Sequence, residues 1–343
     1  MKKIYFIIIV LLALFGCHEK ESIIDHEVKT DLLKIYINES LGDGLGPIIA
    51  AEFEKKYECS VIMEVIENET LLLQKLILEK ENPQADIVIG IQSTSITNAL
   101  ATNLFVVYEP ENIKNITDKS LLLDKRFRLI PYKYAYYAFL YDTTFIHTPP
   151  KTFGEMQSSI WRDKFILIDP QSSATGYGLL LWTLGVWGER GFEAFWDSIS
   201  SNVLSIQPSL YEAYMSFQTG EAPFVLSYST IPAYYIEIEN STQYQAYIPE
   251  EGGLKEIGFA GILQGSKNIY LARRFMEFML TKDFQKHIPT TQWMLPVIDG
   301  IDLPEGFSSA PKPKIDLTEK IFSKSDNFAD RWIDLWIKTV TVK

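Results

Sequence analysis

Apolar and polar positions come in alternating blocks from residue 32 onward. "LLKIYI" (32–37) predicts a strand. "PIIAAEFEKKYE" (47–58) spaces its apolar residues at helical intervals and puts Pro47 in the first turn, where the missing N–H does no harm. "SVIMEVI" (60–66) predicts a second strand and "ETLLLQKLILEKE" (69–81) an amphipathic helix. "ADIVIG" (85–90) is apolar without alternation, as expected of a strand covered on both faces. "STSITNALATN" (93–103) opens on Ser/Thr caps and predicts a helix. Strand–helix repeats of this kind predict a parallel sheet with helices on both faces.

The run "RFRLIPYKYAYYAFLYD" (126–142) is too long for one ordinary strand and carries Pro131 inside it. It predicts a strand that leaves one lobe and enters another. A second series follows: strand "KFILID" (164–169), helices "GYGLLLWTLGVWG" (176–188), "GFEAFWDSISSN" (191–202) and "SLYEAYMSFQTG" (209–220), and strand "PFVLSY" (223–228). "LKEIGFAGIL" (254–263) predicts the returning strand, and "YLARRFMEFMLTKDFQKHI" (270–288) and "DNFADRWIDLWIKTV" (326–340) predict two closing helices. The sum is two α/β lobes joined by two crossing strands, the second lobe inserted into the first. Lobe 1 is expected at 31–132 plus 258–343, and lobe 2 at 133–257.

The first thirty residues stand apart. "KKIYFIIIVLLALFGC" has two lysines, then about a dozen apolar residues, then a small residue before Cys17. This predicts a signal peptide over 1–16. "LFGC" is similar to a bacterial lipobox, which makes Cys17 the acylated first residue of the mature chain. Residues 17–30 then form a polar tether from the lipid to the folded part. Localisation follows: exported, and lipid-anchored to a bacterial membrane.

Of the 343 residues, 47% are apolar and 22% charged, an ordinary globular composition. The net charge is −12 and no internal basic cluster exists, which argues against nucleic acid as a partner. Cys59 is the only cysteine besides Cys17, so no internal disulfide can form. The four histidines, at 18, 26, 147 and 287, lack ligand spacing, so no metal site or cofactor is expected. No nucleophile elbow is present, and no histidine lies near a nucleophile, so an enzyme is not expected.

Ligands of open α/β sheets bind beyond the carboxyl ends of the strands. With two lobes those ends face each other across a cleft, at 38–47, 67–69, 91–94, 170–176 and 227–234. "DPQSSATGYG" (169–178) brings hydroxyls to a helix N-terminus, a setting for an anion or for simple capping. "LSYSTIPAYY" (226–235) does the same at a second helix start. Its Tyr234–Tyr235 pair suits either packing or ferric iron. Trp293 in "TTQWMLPV" (290–297) is either a stacking platform for a flat ring or a core residue.

Over residues 32 to 340 the sequence resembles the thiamine-binding periplasmic proteins of ABC importers. The resemblance rests on "GPIIAAEFEKKY", "ADIVIGI", "YAYYAFLYD", "DPQSSATGYGLLLW", "YEAYMSFQTGEAPFVLSYSTIPAYY", "FMLTKDFQKHIPTTQWMLPV" and "DRWIDLWI". It implies a two-lobed periplasmic-binding-protein fold of type II, transferrin-like, with an interlobe ligand cleft. It also implies a monomer that binds thiamine or a thiamine phosphate and delivers it to a permease and its ATPase. Carried over by position, a phosphate corner falls on Ser173, Ala174, Thr175 and Gly176. A hydroxyl-rich strand end falls on Tyr228, Ser229, Thr230 and Ile231. Ring-packing aromatics fall on Trp293 and Tyr211, and a contact to the aminopyrimidine edge falls on Asn68 and Glu69. The sequence departs from the family at Asn38 and Leu45, where aromatics are expected, at Ala174 and Ile231, and at Lys133, where an acid is expected. A lysine there favours a phosphorylated or otherwise anionic solute over a bare thiazolium. Another anionic solute, ferric ion, or an enzyme acting on a thiamine precursor are the alternatives.

Overall fold

The computed structural model describes residues 31–323 and 329–340. Cys17, the signal peptide and the tether lie outside the described residues. The first αβ series runs β1 (Leu32–Asn38), α1 (Glu39–Gly42), α2 (Leu45–Tyr57), β2 (Ser60–Ile66), α3 (Glu69–Leu78), β3 (Ile87–Gln92), a 3-10 turn at Ser93–Ser95 and α4 (Ile96–Ala101). The long strand β4 (Ile130–Asp142) and β5 (Phe165–Ile168) come next. They are followed by α5 (Ala174–Ile199), β6 (Val203–Gln207), α6 (Leu210–Gln218), β7 (Phe224–Tyr228), α7 (Ile231–Glu239) and β8 (Tyr244–Tyr247). The chain returns on β9 (Lys255–Ile262) and closes with α8 (Ile269–Met279), α9 (Lys282–Gln285), α10 (Ile288–Thr291), β10 (Leu295–Pro296), α11 (Thr318–Phe322) and α12 (Ala329–Val340).

The strands follow the order β2-β1-β3-β9-β4-β7-β5-β6, with β8 and β10 each paired to β4. β1 pairs in parallel with β2 and β3, and β5 pairs in parallel with β6 and β7. Strand β4 joins the two groups. Its first half pairs antiparallel with β9, and its second half with β7 and β8. Pro131 is accommodated at a register shift between Pro131 and Lys133, so the ladder loses little to the missing N–H.

Two hydrophobic cores lie on either side of these crossing strands. One gathers Leu33, Ile35, Phe53, Ile87, Ile89 and Tyr132, and takes in Ile257, Phe275 and Phe284 from beyond β9's start. The other gathers Tyr137, Phe139, Phe165, Trp182, Trp196 and Leu226. Tyr228 packs against both. The tail departs from the expected boundary: Leu317, Ile321, Trp332 and Trp336 join the second core, not the first. The cause is aromatic complementarity with α5. Trp332 meets Phe192 at 5.4 Å and Trp336 meets Trp196 at 5.9 Å, both edge-on.

Several elements differ from expectation. The two helices expected at 176–188 and 191–202 are both present within α5, parted by a kink at Gly188, whose φ of 65° and ψ of 176° are non-helical. The helix expected over 270–288 splits at Thr281, whose hydroxyl donates to the Phe278 carbonyl over 2.7 Å. β6 and β8 have no counterpart in the expectation. Their residues are mostly half-buried and lack clean alternation, so the period-2 signal is faint.

Candidate functional site

The carboxyl ends of β1, β3, β5 and β7 converge where the two cores meet. Strand β1 ends at Asn38, which is buried and donates from Nδ2 to the Gly90 carbonyl over 3.4 Å. Gly90 has φ 118°, and a Cβ there would lie 2.8 Å from the Asn38 side chain. A glycine is therefore what lets the two strand ends approach. Leu45 is fully buried at the start of α2, a core residue here.

Beyond β5, Ser173 is the N-cap of α5, without a hydrogen bond from its side chain to the helix. Ala174 follows it, half-buried. Gly176 presses the helix against β5, since a Cβ would sit 2.5 Å from the Ile168 carbonyl. Thr175 Oγ1 and Tyr228 OH are hydrogen-bonded at 3.1 Å, so the α5 start and the β7 end share a hydroxyl pair. Ser229 is buried and its N–H donates to the Tyr136 carbonyl over 2.8 Å. Thr230 is fully buried and donates from Oγ1 to the Trp293 carbonyl over 2.6 Å. Ile231 opens α7 and packs on the second core.

Trp293 is half-buried and holds a left-handed backbone, φ 50°. Its ring meets Tyr234 edge-on at 5.3 Å and lies parallel to Phe307 at 6.4 Å. A non-glycine residue in that region is uncommon and needs surrounding contacts to hold it. Tyr235 is fully buried, with its hydroxyl bonded to Tyr214 and Gln218. The Tyr234–Tyr235 pair is thus engaged in packing, and among the described residues no group of three His, Cys, Asp or Glu is placed to hold a metal ion.

Two expected positions lie at helix starts. Tyr211 lies on the first turn of α6 and is 70% exposed. Asn68 caps α3, accepting from the Leu71 N–H over 3.0 Å, so its side-chain oxygen is engaged locally.

Glu69 is different. Its side chain turns inward, is buried, and accepts from the Gln92 N–H over 2.6 Å. Burial pushes its carboxyl up to about 8; Glu256 adds to the rise, while the bond from Gln92 and the nearby Ser95 hydroxyl oppose it. Glu256, on β9, is also buried and accepts from the Tyr137 hydroxyl and from Ser93 N and Oγ, each 3.3 Å away. Burial pushes it up to about 7, against the pull of those donors and of Lys133. Lys133 donates to Gln292 Oε1 over 2.7 Å, and burial lowers its ammonium to about 8. Sequence reasoning missed Glu256. The available signal was an acid in the otherwise apolar returning strand "LKEIGFAGIL".

The arrangement gathers hydroxyls around Tyr228 and buried carboxyls at Glu69 and Glu256. The bacterial extracellular solute-binding protein model matches residues 82–314. A thiamine-binding periplasmic protein of Brucella melitensis is 34% identical over 311 residues, covering 90% of this chain and 91% of the relative. A solved periplasmic thiamin-binding protein superposes with a TM-score of 0.78 at 30% identity, covering 90% of this chain and 96% of its own. An apo ferric ion-binding protein from Pasteurella haemolytica superposes at 0.75 with 15% identity, covering 91% of this chain and 98% of its own, and shares the fold alone. The fold is that of the type II periplasmic binding proteins. The chain belongs to the bacterial extracellular solute-binding proteins and, within them, to the family of the thiamine-binding periplasmic proteins.

Proposed function

We propose that this protein is the receptor of an ABC importer, which captures thiamine or a thiamine phosphate between its lobes and delivers it to a permease driven by an ATPase. The observation that carries the reading is the near full-length identity to thiamine-binding periplasmic proteins. The geometry supports it. Ser173, Ala174, Tyr228, Ser229 and Thr230 suit the polar or phosphorylated end of the ligand. Trp293 suits its flat ring, and Asn68 its amino-substituted edge. The lobes divide at the crossing strands, near 132 and 258, with residues 317–323 and 329–340 carried on the second lobe. Binding closes the lobes and involves no covalent chemistry.

Calorimetry with thiamine, its mono- and diphosphate, and ferric ion tests the ligand. Binding of a thiamine species tighter than about 10 μM is expected. If none binds, the ligand assignment is wrong while the transport class stands.

The receptor works as a monomer held to the membrane by lipid on Cys17. The lipobox-like "LFGC" supports this. Expression of wild type and Cys17→Ser in a bacterial host, with detergent phase partitioning, tests it. Partition of both into the aqueous phase would overturn the anchor.

A further inference from the structure

Seven buried side-chain polar atoms lack a hydrogen-bond partner among the described residues, and four of them come from the start of α3, the end of β3 with the turn after it, and the crossing strand β4. They are Glu69 Oε2, Gln92 Oε1, Thr94 Oγ1 and Tyr132 OH. Glu69 and Gln92 are joined by the backbone bond described above, and Thr94 follows two residues on. Tyr132 is fully buried on β4, close enough to Glu69 and Glu256 for both charges to act on its hydroxyl. Buried polar atoms left unpaired are rare, because each forfeits its bonds to water. Four together, from both the first αβ series and the crossing strand, mark a place built for a guest.

The guest's charge follows from what surrounds it. Glu69 comes from α3 and Glu256 from β9. The titratable groups acting on this pair are Tyr132, Lys133 and Tyr137 on β4 and Tyr228 on β7. The three tyrosines are all held well above their ordinary value, burial being the first cause, and so stay neutral. The Lys133 ammonium acts on Glu256 through space, its own hydrogen bond going to Gln292. Two buried carboxyls that act on each other resist double ionisation unless a further positive charge is present.

We infer that Glu69 and Glu256 form a cation-binding end of the interlobe cleft, which receives the positively charged ring of an organic cation and releases a proton as it does so. The inference rests on the ligand reading above and names the groups that select for the thiazolium charge. The unliganded pair holds a proton near neutral pH. An entering cation favours the doubly ionised pair, and the displaced proton leaves to solvent. The ligand therefore binds more tightly as pH rises, and the advantage is lost as pH falls through the unliganded carboxyl range.

Calorimetry of the mature protein with thiamine at pH 7, in two buffers of different ionisation enthalpy, counts the proton. Release of about half to one proton per thiamine is expected, with affinity falling about tenfold from pH 8 to pH 6. Glu256→Gln keeps the shape and should weaken thiamine about tenfold at pH 8 and abolish the release. Glu69→Gln is the second variant, in case the first fails to fold. Unchanged proton count and affinity in the folded variants would overturn the inference.

A thermal-shift panel on wild type separates the two ways of failing. Stabilisation by choline or tetramethylammonium but not by thiamine overturns the ligand reading and keeps the cation site. Stabilisation by inorganic phosphate alone, or by nothing, overturns the cation site.

Discussion

Thr230 Oγ1 donates to the backbone carbonyl of Trp293 over 2.6 Å, tying the end of β7 to a loop 63 residues further along the chain. The bond fixes the one tryptophan whose backbone sits in the left-handed region. Thr230→Val keeps the shape and removes the donor. The buried carbonyl is then unpaired, which costs about 1–3 kcal/mol. Stability should drop by that amount in a thermal melt, and thiamine affinity should fall about tenfold through a mobile Trp293 ring. Loss of stability without loss of affinity would separate Trp293 from the ligand.

Stability should fall as pH rises through neutrality. Glu256 titrates near 7 when folded, above its ordinary 4.5. Between those values the folded chain keeps a proton that the unfolded chain has lost. The native state is therefore relatively favoured at low pH and loses ground until the folded carboxyl ionises. Glu256→Gln removes this term. The variant should melt higher than wild type at pH 8, by about 1–3 kcal/mol, and the two should converge near pH 5. Denaturant titrations at both pH values check this.

Gly178 is the point where α5 touches the crossing strand. A Cβ there would lie 2.2 Å from the Tyr137 hydroxyl and 2.3 Å from its ring carbon. Tyr137 is fully buried and cannot swing aside freely. Gly178→Ala should cost about 1–3 kcal/mol and loosen the Tyr137–Glu256 bond. Gly154→Ala is the control. Its backbone is already helical, φ −61° and ψ −44°, and the nearest atom to a new Cβ is 3.5 Å away. Its stability should stay within about 0.5 kcal/mol of wild type or rise slightly. Equal losses at both sites would sink the steric account.

Lys255 is buried to 1% exposure and its ammonium contacts Asp118 at 2.5 Å and Asp316 at 2.6 Å. The first aspartate belongs to a loop before β4 and the second to the segment leading into α11. Lys255→Met would leave two part-exposed carboxylates without their shared cation, at a cost of about 1–3 kcal/mol. Proteolysis should then begin in the 317–340 tail. A tail that stays protected would show that α12 is held by its tryptophans alone.

The alternation of strands and helices was legible because β3 and, beyond Glu256, β9 are covered on both faces and read as apolar runs. The hydroxyls around Tyr228 were legible because they cluster in one short stretch. Glu256 was not, because its partners Ser93 and Tyr137 lie 163 and 119 residues away and no local spacing reports them. Asn68 also caps α3, a local role that an asparagine before a helix takes readily and that its sequence context does not separate from a ligand contact. The tail's true neighbour was hidden for a related reason. An amphipathic helix announces that it will pack, not against what.

Lys255 and Glu256 are adjacent on β9, so they face opposite sides of the sheet. One side holds a cation among two aspartates, and the other holds an acid under a tyrosine. A slip of β9 by one residue against β4 would turn each to the opposite face. In one direction the ammonium would land where Glu256 belongs; in the other the carboxylate would meet Asp118 and Asp316 head-on. Side-chain size alone would tolerate many such slips in an apolar strand; charge does not. The pair therefore works as an error check on assembly, letting the last long strand dock in a single alignment, the one that completes the junction between the lobes.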